Sequence, residues 1–378
     1  MKILPVILSV ASILGASVAA QAESILIGIT NPYTGPAAIA AEREKWGIDL
    51  AVEEINEAGG LLGMQIELLP MDNKCNPSEA VNVANKLVEA KVNVIIGAHC
   101  SSATLATMPI IEKAGIPMVT AVSTSPAITD QSGVGGNKWE FRINPSDAAM
   151  MKTLAGYLAK SGDFKKVAIL GEDTDFGRGG AESFAAFAKE AGVEIISTDF
   201  APQGMPDFTP VLTKVSRSKP DAIALFQLGS DQLTLLRNAM QLGLTIPYTG
   251  RAELGGQNEE LISAGGMEGS VSAWTYSPEI DTPENKSFAE KIKAKHEISP
   301  VLQTWAGYDS VNIIAQAIKE AGSAEPAAIR DALEKIEFTT VMGKTISFDD
   351  YNQAGEIVVI LGVNDNKVDI LSLEQVAK

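Results

Sequence analysis

Short, almost continuously apolar runs alternate along this chain with longer segments whose apolar residues recur at helical spacing. The pattern predicts strands at 25–29, 65–69, 92–97 and 117–120, with helices over about 38–58, 77–90 and 102–114 between them. Gly59 and Gly60 stop the first helix. Strands without polar alternation are covered on both faces, the signature of a parallel sheet with helices packed on each side. After Arg142 the series repeats, with helices over about 146–161, 179–191, 208–218 and 230–242 and strands at 166–170, 194–197 and 221–226. An α/β chain of two Rossmann-like lobes is therefore expected. Helices near 284–296 and 304–321 are too few to cover a third sheet, so that segment is expected to return to the first lobe. Segments 345–349, 355–363 and 367–371 read as short strands, with a turn at Asn364-Asp365.

Ahead of this series, Lys2 precedes an apolar run over 3–20 that Pro5, Ser9, Ser12 and Gly15 interrupt. Ala20-Gln21-Ala22 closes it with a small-x-small pattern, so an export signal cleaved after Ala22 is expected. Glu23, where a lipoprotein needs cysteine, argues for a freely soluble product. No later stretch is long and apolar enough for a bilayer span. The rest of the 378-residue chain is too long for one ordinary core and suits two lobes. Its net charge of −17, one unit more negative once Lys2 is removed, makes it a poor candidate for nucleic acid or an anionic membrane, which require clustered Lys and Arg that the sequence does not show. Only two cysteines occur, Cys75 and Cys100; in an exported chain an even pair reads first as a disulfide, with two buried thiols as the alternative. Their spacing matches no zinc motif, and His99 and His296 are the only histidines.

The local signatures of catalysis are missing: there is no Gly-x-Ser-x-Gly, no His-Glu-x-x-His, no Walker loop and no dinucleotide glycine motif. Gly177-Arg178-Gly179-Gly180 lacks the Lys-Ser/Thr of a phosphate cradle and reads as a loop entering a helix. The informative stretch is 97–102, Gly-Ala-His-Cys-Ser-Ser, which ends an apolar strand and opens a helix. Ser101 there reads as a cap, and a hydroxyl beside the free N–H groups of a helix start makes an anion site. Capping its own helix is the simpler alternative. A second hydroxyl-rich turn, Ser123-Thr124-Ser125-Pro126, follows the next strand. Adjacent carboxyl ends of strands in an open α/β sheet are where ligands bind.

With these residues the sequence resembles the leucine/isoleucine/valine-binding protein family, the type I periplasmic binding proteins of branched-chain amino acid ABC transporters. The likeness runs through Thr34-Gly35-Pro36, Ile55-Asn56 with Gly59-Gly60, Asp72 with Cys75, the stretch 97–102 and Gly115-Ile116-Pro117. It continues through Phe141-Arg142, Phe176-Gly177, Asp207-Phe208, Tyr308-Asp309 and Phe348-Asp349. The resemblance implies a ligand α-carboxylate held by Ser101, by the main chain at Val122 and by Thr124, and a Cys75–Cys100 disulfide. It also implies closure of Phe176 over the ligand and a carboxylate near Gly250 for the ligand ammonium; Glu253 is the candidate, with Arg251 as the rival for the cleft. Leu228-Gly229 stands where the family has a tyrosine, and His99 and Gln303 fall where apolar groups are usual.

The resemblance further implies a three-segment hinge near Arg142, Tyr276 and Asp349. The first lobe then comprises 23–142 with about 277–348, and the second 143–276 with about 349–378. A monomeric, non-enzymatic receptor in the periplasm is expected, with no cofactor and no metal, passing its ligand to a membrane permease. The ligand is a small carboxylate, an amino acid first and an aromatic or keto acid as the alternative. The sensing module of a signalling system and a hydrolase are the rival functions; the first lacks an output segment in this chain and the second lacks a base motif.

Overall fold

The computed structural model describes residues 24–354 and 356–376, so the export signal and its cleavage position lie outside the described residues. Five parallel strands form the first sheet: β1 (Ile25–Asn31), β2 (Ile66–Asp72), β3 (Val94–Gly97), β4 (Met118–Thr120) and β5 (Glu140–Arg142), in the order β2-β1-β3-β4-β5. Ile27 sits opposite Leu68 on one side and Val94 on the other, and Ile25, Ile27, Ile29 and Ile96 are buried, as strands covered on both faces must be. Helices α1 (Ala38–Glu57), α2 (Pro77–Glu89), α3 (Ser101–Ala114) and the short α4 (Pro126–Asp130) connect them. Local chemistry sets their ends. Asn76 caps α2 by accepting from the N–H groups of Ser78 and Glu79 at 2.9 and 3.1 Å, and Gly115 closes α3 in the left-handed region at φ 67°.

The second lobe repeats the plan with α5 (Asp147–Ser161), β6 (Lys166–Glu172), α6 (Asp175–Glu190), β7 (Glu194–Ala201), α7 (Thr209–Arg217), β8 (Ala222–Phe226), α8 (Gly229–Gln241), β9 (Tyr248–Gly250) and α9 (Glu259–Ser263). Its parallel sheet runs β7-β6-β8-β9. Helix α6 starts four residues earlier than the periodicity predicts, so Gly177-Arg178-Gly179-Gly180 lies inside its first turns and is not a loop. The cause is close packing: a Cβ at Gly180 would overlap the Phe226 ring, and one at Gly177 would overlap the backbone of Glu172.

Strand β10 (Val271–Trp274) precedes α10 (Pro283–His296), α11 (Leu302–Ala321) and α12 (Pro326–Leu333). Helix α11 lies against α1 of the first lobe. They approach closely because Gly47 faces the Thr304 carbonyl and Gly307 faces the Glu44 carbonyl, where any Cβ would collide. A two-residue hairpin, β11 (Phe338–Thr339) with β12 (Thr345–Ile346), follows, and then β13 (Glu356–Asn364) and β14 (Lys367–Val376) form an antiparallel sheet in the order β10-β13-β14.

The chain thus passes between the lobes after β5, after β10 and after β12. Two of these passages are tied by Arg142, which is fully buried. Its N–H donates to Asn352 O at 2.9 Å, its carbonyl accepts from Ala354 N at 2.8 Å and its Nε donates to Gln353 Oε1 at 2.6 Å. Gln353 in turn donates to the Asn144 carbonyl at 2.9 Å.

Candidate ligand-binding cleft

The first-lobe wall begins where β3 ends. Residues 98–100 turn sharply before α3, held by Asn73, which donates to Ala98 O at 3.1 Å and accepts from Cys75 N at 2.9 Å. A disulfide joins Cys75 to Cys100 across a Cα–Cα distance of 5.5 Å. Cys100, not Ser101, occupies the N-cap position, and it supplies no side-chain cap. The first-turn N–H groups of α3 therefore keep their capacity for an anion. Ser101 is the first helical residue, and its Oγ accepts from Ser125 N at 3.2 Å, which leaves the hydroxyl proton without an acceptor among the described residues. The neighbouring turn is ordered by Ser123, which donates to His99 O at 2.8 Å, and by Asn144, which donates to Val122 O at 2.9 Å. Thr124 donates its hydroxyl proton to Asp147 Oδ2 at 2.8 Å.

Across the cleft, Glu172 ends β6 and accepts from Thr174 Oγ1 at 2.6 Å and Leu228 N at 3.0 Å. Burial pushes its carboxyl up to about 7, with the two hydrogen bonds pulling the other way. Phe176 lies in the first turn of α6, and Gly229 opens α8. Arg251 and Glu253 follow β9 on a loop. The Arg251 guanidinium lies 4.5 Å over the Trp274 ring, and its Nη1 contacts Met150 Sδ and sits 3.3 Å from Asp147 Oδ1. Burial raises the Asp147 carboxyl to about 6, while Arg251 and Thr124 oppose the shift. Glu253 is buried with one long bond, from Gln257 Nε2 at 3.4 Å. Burial raises its pKa too, against the nearby charge of Arg43.

All nine residues singled out in the sequence line one cavity of about 770 Å³, its open mouth included. Ser101, Val122, Thr124, His99 and Gln303 come from the first lobe, and Phe176, Gly229, Arg251 and Glu253 from the second. Arg251 and Glu253 both line it, so the choice between them is not exclusive. Two hydrogen bonds span the lobes nearby, from Ser230 Oγ to Pro36 O at 2.6 Å and from Asp175 N to Ser102 Oγ at 3.3 Å. Sequence reasoning missed Glu172, Gln227 and Trp274 in the lining, and Glu44 and Asp147 just behind it. The turn after each parallel strand was the available signal for the first two. Among the described residues no cluster of His, Cys, Asp and Glu could hold a metal ion, and no helix is long and apolar enough to cross a membrane.

Comparison with known proteins agrees with this geometry. Residues 24–367 match the family described as Periplasmic binding protein. The Leucine-, isoleucine-, valine-, threonine-, and alanine-binding protein of Pseudomonas aeruginosa is 30% identical over 89% of this chain and 88% of its own length. The branched-chain amino acid transporter substrate binding protein of Streptococcus pneumoniae, solved in complex with isoleucine, superposes with a TM-score of 0.82 at 28% identity, covering 94% of this chain and 99% of that one. A Rhodopseudomonas palustris solute binding protein solved with benzoate shares the fold, with a TM-score of 0.86 at 20% identity, covering 94% and 98%. Two parallel-sheet lobes, a cleft between their strand ends and a match along nearly the whole chain place this protein in the Leu/Ile/Val-binding protein family of periplasmic binding proteins, solute receptors and not enzymes.

Proposed function

We propose that this protein captures an α-amino acid in the periplasm and delivers it to the permease of an ABC transporter. The observation that carries the reading is the pairing of opposite sites across one cleft. An uncapped helix start with the Ser101 hydroxyl stands on one wall, and the buried, weakly bonded carboxylate of Glu253 on the other. The first suits a carboxylate and the second an ammonium. Phe176 closes over the bound molecule. Cleavage after Ala22 releases a monomer, and lobes of 23–142 with about 277–348 and 143–276 with about 349–378 close about hinges near Arg142, Tyr276 and Asp349. Because the ligand touches both lobes, binding favours the closed form that a permease can distinguish.

A second reading, a keto or aromatic carboxylate, draws on Arg251 and Trp274 in the same lining. It is the weaker one, since Arg251 already pairs with Asp147 while Glu253 has no ion-pair partner among the described residues. A thermal-shift panel of amino acids, keto acids and aromatic carboxylates decides between them. Stabilisation by amino acids is the expected result. A response confined to molecules without an amino group would overturn the proposal.

A further inference from the structure

We infer that the bound amino acid carries a neutral hydrogen-bonding side chain, a hydroxyl or a carboxamide, recognised by a buried His99–Glu44 pair with Gln303. The inference rests on the amino-acid reading above and deepens it. His99 Nδ1 lies 2.6 Å from Glu44 Oε2, with side-chain exposures of 2% and 0%. Among the described residues, His99 is the only basic side chain within ion-pair distance of Glu44, and Glu44 Oε1 has no hydrogen-bond partner. With Nδ1 committed to Glu44, Nε2 is the polar ring atom left for the cavity that His99 lines, and an imidazole nitrogen donates or accepts according to its tautomer.

Gln303 supplies the complementary group. It lies in the first turn of α11, four residues before Gly307, the point where α11 meets the backbone of Glu44. Its Oε1 is buried without a donor, and its side chain lines the same cavity. A ligand side chain reaching this wall meets a ring nitrogen that no described residue bonds and a carboxamide oxygen without a donor, and only a group that both donates and accepts suits the pair in either tautomer of the ring. A hydroxyl or a carboxamide satisfies both. An aliphatic side chain satisfies neither, which leaves buried polar groups unpaired. A carboxylate brings no hydrogen for Gln303 Oε1 and shares the cavity with the acidic Glu172 and Glu253, and an ammonium only donates.

Calorimetry at pH 7 on the purified protein, with glutamine, asparagine, threonine, serine, leucine, isoleucine, glutamate and lysine as probes, tests this directly. The tightest binder is expected to be one of the four neutral polar amino acids, by at least about tenfold over leucine. In the double variant His99→Leu/Glu44→Gln, that ratio should fall to within about threefold. Leucine or isoleucine binding as tightly as every polar probe would overturn the inference and leave the amino-acid reading intact, and so would a preference for glutamate or lysine. Binding of none of these, with binding of keto or aromatic carboxylates instead, would overturn the amino-acid reading itself. The wild-type ranking needs no variant, so the test holds even if the double variant does not fold.

Discussion

Ser101 and Thr124 stand on neighbouring turns, yet their hydroxyls are not equivalent, and replacing each in turn should separate recognition from stability. The Ser101 oxygen accepts from Ser125 N, and its proton has no acceptor among the described residues, so it is available to a ligand carboxylate. The Thr124 proton is committed to Asp147 Oδ2 at 2.8 Å. Ser101→Ala removes one hydrogen bond to a charged group, about 1.5 to 3 kcal/mol, which raises Kd by roughly 10- to 150-fold. Thr124→Val keeps the shape and removes a donor from a fully buried carboxylate. Its expected cost is about 1 to 3 kcal/mol of folding stability, with a change in Kd of less than about threefold. Titration calorimetry reads the first number and urea unfolding of the ligand-free protein the second. Equal losses of affinity in the two variants, or a larger loss for Thr124→Val, would refute the assignment of the two protons.

Three further outcomes are expected. Glu253→Gln should weaken an α-amino acid by at least about tenfold while leaving its keto-acid analogue nearly unaffected, as calorimetry would show; equal effects on both would remove Glu253 from ammonium recognition. Asp147, Glu172 and Asp309 have folded-state pKa values raised by burial to about 6, about 7 and about 7, so the folded protein holds these protons more tightly than the unfolded chain. Their stabilising contribution is full below about pH 4 and is lost as pH rises through about 6 to 7, so the ligand-free protein should unfold at higher denaturant concentration at pH 5 than at pH 8. A flat or inverted profile would count against those buried sites. The Cys75–Cys100 disulfide closes a loop with a sequence separation of 25, so Cys75→Ser/Cys100→Ser should lower unfolding free energy by about 3 kcal/mol in the same assay.

The strands at 25–29 and 166–170 and the helices around them were legible because their apolar runs carry the information locally. Strands β5, β9 and β10 were not. They are three or four residues long and include Glu140, Arg142, Thr249 and Ser272, polar groups whose burial only tertiary partners make tolerable. The same limit applies at the cleft. Ser101 and the hydroxyl turn announced themselves through local turn chemistry. Asp147 and Glu44 did not, since each acquires meaning from a partner far along the chain, Arg251 at a separation of 104 and His99 at 55. The glycines at 177–180 misled because spacing cannot distinguish a glycine needed for a turn from one needed where a helix presses on a strand.

The two sheets share one strand order, second-first-third-fourth, so each lobe presents a crevice of the same construction. When the crevices face each other, helices α1, α3, α6 and α8 all begin at the shared cavity, with Ala37, Ser101, Phe176 and Gly229 among its walls. Four positive helix ends therefore converge on one small space, and Glu172 and Glu253 counterbalance them. A zwitterion enters such a field without disturbing its neutrality, each of its poles meeting the opposite sign. The residues that set this balance sit at or just past the strand ends, on the last strand residue, the turns and the helix starts. A different guest can be selected by exchanging side chains at that rim, with both cores left as they are.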